Sequence, residues 1–541
     1  MVAGTRTLGL HETLLEPRAL PPPPTRHALF AFVLALAALI HIGTAGWGGI
    51  HDGAEGYFAG SARQVLEHHA AFPSNEPPLL TWLLLGSFRT FGVSAMSARL
   101  PTALATVAAV AFTFLIGERL AGFWRGFVAA LIHLCSLGMF VAGRLVTPDP
   151  LCAAFLGGAL FCAVSGYQRP RERPRWFAGV AIFAGLICLT RGLTGLACLL
   201  GILFLLALIF REARLRFRML LHWPYLLIFV AIVLPWPLCL QIRGATAPWH
   251  WLLPAFAQSN EIGGVGLGQF LLLHLAWWYP GLFLVLPGLC FAARKIFRPH
   301  EFDFAEALPL VWMAIGFLPL LFFSGREDHH SISMWSALAL WIASAWERTP
   351  RRWRIAGAIL AALVLLVGIG GAATGALASA LPENVWRQLR WLLVFMGLLA
   401  VIALAACVYF AAKERDTVAI TILFLAMAPI GLGLAEAIVQ LDSNVSLANA
   451  ATFLERHLGE KGEVLFEGPP RSGSSLRFYL DRPVTLVAPD AALQHFAADR
   501  PVYLIVDKTR VAFWQEFLTQ RFHIFHQETT CGRHVVISNQ P

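Results

Sequence analysis

Eight side chains stand out because each borders a long apolar run in a chain otherwise poor in charge: Asp52, Glu55, Asp149, Arg191, Arg326, Asp328, His329 and His330. Carboxylates take protons, imidazoles exchange them at neutral pH, and guanidinium groups hold anions. Charge beside hydrocarbon is costly, so such residues point to function. If all eight face one compartment, they point to one site.

The elements that would have to position them are membrane helices. The 541 residues are 57% hydrophobic and only 13% charged, with a mean hydropathy of +0.65, outside the range of soluble globular chains and typical of a polytopic membrane protein. Runs long enough to cross about 30 Å of hydrocarbon lie at 28–46, 100–117, 126–143, 150–167, 177–190, 192–210, 225–240, 271–293, 307–323, 332–345, 355–373, 391–410 and 419–439, which predicts about thirteen helices.

Alternate connections carry basic clusters: Arg119 and Arg125; Arg169 to Arg175; Arg211 to Arg218; Arg294, Lys295 and Arg298; Arg348 to Arg354; Lys413 and Arg415. With Arg6, Arg18 and Arg26 these form one cytoplasmic set, and the run from Phe177 to Phe210 must then fold back near Arg191. Arg387 and Arg390, on an outer connection, are exceptions. The net charge of +9 mostly reflects this topology, because basic residues interleaved with aromatics on one soluble face, as nucleic acid requires, are missing. Residues 1–27 read as a cytoplasmic tail, 28–441 as the transmembrane domain with an outer loop at 47–98, and 442–541 as an external domain. The first segment reads as an uncleaved signal anchor.

Eight of nine cysteines lie in the apolar segments, and only Cys531 lies in the last hundred residues, so no disulfide forms within that domain. Its alternation predicts helices near 447–458, 475–480 and 512–519, with strands at 464–466, 484–487, 502–506, near His523 and at 534–538, a small α/β unit. Without a phosphate loop or catalytic triad it reads as an accessory or acceptor-contacting module.

The first outer loop carries His51-Asp-Gly-Ala-Glu55-Gly-Tyr57-Phe ahead of an amphipathic stretch to Leu66, then Asn75-Glu76-Pro-Pro-Leu-Leu-Thr-Trp82 and an apolar run to Phe91, pieces suited to the membrane interface. Later outer connections hold Arg144 and Thr147-Pro-Asp149-Pro150, Thr190-Arg191-Gly192, Trp249 to Gln269 with Glu261, and Arg326-Glu-Asp-His329-His330.

Read together, Glu55-Gly-Tyr-Phe-Ala, Arg63-Gln-Val-Leu66, Glu76-Pro-Pro-Leu-Leu-Thr-Trp82, Ala98-Arg-Leu-Pro101, Thr147-Pro-Asp149, Arg191-Gly192, Pro235-Trp236 and Phe478-Tyr-Leu480 make the chain resemble the polyprenyl-phosphate-dependent C-type glycosyltransferases. These include the protein O-mannosyltransferases and the lipid A aminoarabinose transferases. The resemblance implies an inverting transfer of one sugar from a polyprenyl-phosphate donor to a lipid or protein acceptor, at the outer face of the bacterial cytoplasmic membrane. The acceptor hydroxyl needs a carboxylate to take its proton, and the leaving phosphate needs a cation. The resemblance implies Asp52 or Glu55 as that base, with Asp149 positioning the acceptor, the base or a divalent ion. It also implies Arg191 and Arg326 as phosphate ligands, and Tyr57, Glu76, Glu261, His329 and His330 as further substrate contacts. The chain departs from the family pattern at Ala54, where the first loop usually has Asp, and at Glu76, where lysine usually precedes the prolines.

Plainer roles compete. Asp52 and Glu55 also suit a solvated loop, Asp149 a helix N-cap, Arg191 an interfacial anchor, His329 and His330 a polar turn, and Trp249, Trp251, Trp277 and Trp278 an aromatic belt. A transporter is the competing function from another class, and a ligase-type or non-catalytic relative a third. Transport sites, however, sit near the midplane between repeats, which this sequence lacks.

Overall fold

The computed structural model describes residues 22–539 apart from 68–71, 74, 245–246, 254–264, 287–302, 324, 376–382, 441–445, 460–461, 469–472, 483, 488, 497–499 and 523–524. The N-terminal tail up to residue 21 and Glu261 lie outside the described residues. Among those described, nine helices are long and apolar enough to cross a membrane. The thirteen expected segments are these nine, with Pro170–Ile209 counting twice, together with the shorter helices Phe123–Cys135, Leu267–Trp277 and Trp335–Arg348.

The first eight helices position the site: α1 (Pro23–His41), α2 (Ala54–Glu67), α3 (Leu79–Phe91), α4 (Ala95–Ala121), α5 (Phe123–Cys135), α6 (Met139–Ala142), α7 (Pro148–Gln168) and α8 (Arg173–Ile209). The predicted loop pieces after Trp47 are α2 and α3. Gly92 ends α3 with φ 76°, and Ser94 and Ser97 cap α4 reciprocally, each side chain accepting the other's amide at 3.2 and 3.0 Å. The segment expected at 126–143 is broken by Ser136–Gly138 into α5 and α6.

Helix α8 is a helical hairpin. Gly192 has φ 61° and ψ −147°, a conformation that favours glycine. The chain reverses there so sharply that a Cβ on Gly195 would lie 2.9 Å from Ile187 Cγ2, whereas eight residues of straight helix span about 12 Å. The fold-back read from the arginine pattern is this turn.

Among the described residues, Arg125, Arg348 and Arg354 of the basic clusters join helix ends through ion pairs. Arg125 pairs with Glu347 at 2.5 Å, Arg348 with Glu306, and Arg354 with Asp416 at 2.5 Å, linking the starts of α5, Phe304–Phe322, Arg351–Thr374 and Asp416–Gln440 to the end of Trp335–Arg348.

Beyond the last long helix stands a five-stranded sheet, β1 (Glu463–Glu467), β2 (Val484–Val487), β3 (Val502–Asp507), β4 (His526–Cys531) and β5 (His534–Ser538), in the order β2-β1-β3-β5-β4. β1 runs parallel to β2 and β3, and β5 is antiparallel to β3 and β4. Because side chains alternate along a strand, Phe466 and Ile505 pack with Leu454 and Leu476 on one face, while Leu465 and Leu504 pack with Phe496, Trp514 and Leu518 on the other. Helix Pro489–Phe496 was not foreseen, and the strand expected near His523 is β4.

Candidate active site

Asp149 and Arg191 meet. Thr147-Pro148 opens α7, which places Asp149 in its first turn, and the reversal at Gly192 presents Arg191 at the same level. Arg191 Nε donates to Asp149 Oδ1 at 2.9 Å and Nη2 donates to the same oxygen. Asp149 Oδ2 is buried without a hydrogen-bond partner. The 3-10 turn Asp328–Met334 closes over this pair, with His329 Nε2 3.4 Å from Asp149 Oδ2, 3.4 Å from Glu327 Oε2, and Nδ1 3.3 Å from Asp328 Oδ1. Burial alone would lower the His329 imidazole, but Asp328, Asp149 and Glu327 together raise it above its ordinary value. One ligand-type atom each from Asp149, His329 and His330 lies within 4.8 Å of the others.

The cluster heads a cavity of about 710 Å³ between the second arm of α8 and Phe304–Phe322. Asp149, Arg191 and His330 form its polar end, and Ile315, Pro319, Phe322 and Phe323 are among its apolar walls. Arg326 does not line it. Its guanidinium donates to the carbonyls of Leu320 at 2.7 Å, Leu321 at 3.2 Å and Val265 at 3.2 Å, strapping the end of Phe304–Phe322 in place.

The first-loop carboxylates are engaged elsewhere. Glu55, 3% exposed, receives Arg99 Nε at 2.8 Å and Nη2 at 2.9 Å, and the His51 amide at 3.0 Å. Arg99 also donates to the carbonyls of Ala45, Trp47, Gly48 and Gly49. Burial alone would raise the Glu55 carboxyl; the Arg99 charge and hydrogen bonds, aided by His51, outweigh it and hold the group at about 2. Asp52 Oδ1 accepts the Ser475 amide at 3.0 Å and its hydroxyl at 2.6 Å, tying the loop to the sheet region. Burial pushes its carboxyl up despite these bonds. Gly56 and Gly60 permit the contact, since a Cβ on Gly56 would lie 2.5 Å from Ser475 N, and one on Gly60 would lie 3.0 Å from Arg477 Cβ.

Glu76 is buried, with the Tyr57 hydroxyl 3.5 Å from its Oε1. Its neighbours Phe72 and Leu79 pack with Leu189, Trp236 and the fully buried Trp251, so this stretch lies beside the helix end that carries Arg191. Trp277 packs edge-on against Trp335 rather than forming an open platform. Sequence reasoning did not assign Arg99, Ser475 or Glu327. Arg99 had a signal, a lone charge in an apolar helix, whereas Ser475 had none.

The family profile described as dolichyl-phosphate-mannose-protein mannosyltransferase matches residues 75–239, which include Glu76, Asp149 and Arg191. An uncharacterized protein of Aquifex aeolicus is 23% identical over 184 residues, 32% of this chain and 36% of its own. The undecaprenyl phosphate-alpha-4-amino-4-deoxy-L-arabinose arabinosyl transferase 2 of Sodalis glossinidius is 25% identical over 230 residues, 41% of this chain and 40% of its own. The chain thus matches about two fifths of the length of these relatives. The crystal structure of ArnT from Cupriavidus metallidurans bound to undecaprenyl phosphate superposes with a TM-score of 0.78 at 18% identity, covering 96% of this chain and 99% of that one. The chain therefore has the fold of the polyprenyl-phosphate-dependent C-type glycosyltransferases, and the resemblance carried by its loop motifs is borne out.

Proposed function

We propose that this chain moves one sugar from a polyprenyl-phosphate-linked donor to a hydroxyl of a lipid or protein acceptor, with inversion, at the outer face of the cytoplasmic membrane. The observation that carries the reading is the cavity. A guanidinium fixed by a buried carboxylate stands at the polar end of a largely apolar space between membrane helices, the shape and charge of a phosphate on a hydrocarbon tail. The crystal structure of ArnT holds undecaprenyl phosphate on the same fold.

In this reaction the acceptor oxygen forms a bond to the anomeric carbon, the bond from that carbon to the phosphate oxygen breaks, and the acceptor proton passes to a carboxylate. Arg191 meets the negative charge growing on the phosphate, and Asp149 Oδ1 keeps the guanidinium aimed. Asp52 and Glu55 are bound into structural contacts, so we assign the acceptor proton to Asp149 Oδ2 at the polar end of the cavity, or to Glu76, whose stretch lies beside the helix end that carries Arg191. Burial of the charges together at the polar end of the cavity favours an enzyme facing one compartment over a transporter.

The test is transfer from purified undecaprenyl-phosphate sugars by the detergent-solubilised chain, together with lipid and glycoprotein mass spectrometry of wild-type and deletion cells. Arg191→Ala is expected to lower transfer by at least about a hundredfold. Solute uptake into vesicles without any sugar transfer would refute the reading.

A further inference from the structure

Arg387 and Arg390 break the basic pattern of the connections, and Arg390 stands over a cavity that shares no lining residue with the one beside Arg191. This second cavity, about 260 Å³, lies in the seam between the helices Arg351–Thr374, Glu383–Ala412 and Asp416–Gln440. Its walls include Gly368 and Ile369 of the first, Leu393 and Gly397 of the second, and Met427 and Gly433 of the third. The hydroxyl of Tyr279, which also lines it, donates to the Ala361 carbonyl at 3.3 Å. Water finds few partners in such a space, and hydrocarbon fills it better.

Arg390 precedes Leu393 and Gly397 by three and seven residues, so it lies on the same face of its helix, one turn beyond the cavity. Its Nη2 donates to the carbonyl of Ala373, one turn beyond Ile369 on the facing helix. Nε is buried without a hydrogen-bond partner, and the guanidinium stands 5.2 Å from the centre of the exposed Trp391 ring. None of these contacts supplies a compensating charge, which an anion would. Ala373 lies nineteen residues along its helix from Arg354, the partner of Asp416 at the other end, a rise of about 28 Å. That matches the roughly 30 Å of hydrocarbon in a bilayer, so Arg390 and Trp391 sit at the level of the lipid headgroups.

The cavity opens sideways at Gly368, which is exposed beside the exposed side chains of Val364 and Val367. A cation at headgroup level above an apolar slot suits a lipid with an anionic head. We propose that this seam binds one anionic glycerophospholipid of the bilayer, with its phosphate on Arg390 and one acyl chain entering the cavity past Gly368. At about 260 Å³, against about 710 Å³ for the cavity beside Arg191, the slot takes the end of one unbranched chain, whereas the larger space suits a long isoprenoid. The site does not depend on the donor-phosphate reading.

The experiment is native mass spectrometry of the full-length chain in detergent, delipidated and reloaded with phosphatidylglycerol. One bound phosphatidylglycerol is expected, displaced neither by diacylglycerol with the same chains nor by undecaprenyl phosphate. Its affinity should fall at least tenfold in Arg390→Ala and in Gly368→Leu, where an added Cβ meets no atom within 4 Å and the longer side chain fills the slot. It should keep the wild-type value in Arg191→Ala and in Arg211→Ala, a change of an exposed arginine elsewhere. A wild-type chain that holds no phosphatidylglycerol, full affinity in both Gly368→Leu and Arg390→Ala, loss in Arg191→Ala, or displacement by undecaprenyl phosphate overturns the proposal. If Arg390→Ala does not fold, Gly368→Leu decides the matter against Gly368→Ala, which leaves most of the slot open and should bind like wild type. Bound phosphatidylglycerol without sugar transfer from any polyprenyl-phosphate donor would sink only the functional reading.

Discussion

Glu55→Gln separates a carboxylate that holds the first loop from one that takes a proton. Glu55 and Arg99 are almost fully buried, joined by bonds of 2.8 and 2.9 Å. Removing one partner of such a pair costs about 3–5 kcal/mol. The carbonyls of Ala45, Trp47, Gly48 and Gly49, which Arg99 keeps, put the expected loss near about 3 kcal/mol. The carboxyl is held at about 2 against an ordinary 4.5, a shift worth about 3 kcal/mol by linkage. The folded value is the lower one, so this stability is complete above pH 4.5 and is lost as the pH falls from there towards 2. Thermal unfolding followed by tryptophan emission in detergent should show Glu55→Gln melting lower than wild type at pH 7, with the gap narrowing below pH 4.5 and closing only as the pH nears about 2. The reasoning fails if Glu55→Gln melts like wild type at pH 7 while sugar transfer collapses.

Four further outcomes follow. Glu76→Gln should lower turnover by about two to four orders of magnitude if it takes the acceptor proton, as read by single-turnover kinetics. Gly56→Val should push the Ser474–Tyr479 segment off α2, and limited proteolysis should then release the sheet region faster than in wild type. Gly192→Ala should misfold the α8 hairpin, because φ 61° is strained for alanine and the added carbon meets the Trp251 and Leu252 backbone; gel filtration would show the loss of the monodisperse peak. Arg326→Gln, which strands buried carbonyls, should destabilise the fold by about 1–3 kcal/mol, yet weaken donor binding less than Arg191→Ala does.

The sequence made the membrane class legible because apolar length and arginine asymmetry are both local signals. They located the fold-back at Arg191-Gly192, where glycine, a charge and the topological count agree. The meeting of Asp149 and Arg191 with His329 and His330 could be proposed only through a shared compartment, since their contacts join residues far apart in the chain. Partner identity was beyond reach. Asp52 and Glu55 sit three residues apart and read as equivalent candidates, but one is tied to Ser475 and the other to Arg99. Arg326 read as a phosphate ligand because a lone outer arginine at a helix end gives no sign that backbone carbonyls will take its donors.

The most direct measurement is a structure of the chain with undecaprenyl phosphate. The phosphate should lie within salt-bridge distance of Arg191, with the isoprenoid chain along Ile315, Pro319 and Phe323. A phosphate bound elsewhere, with this cavity free of lipid, would contradict the account.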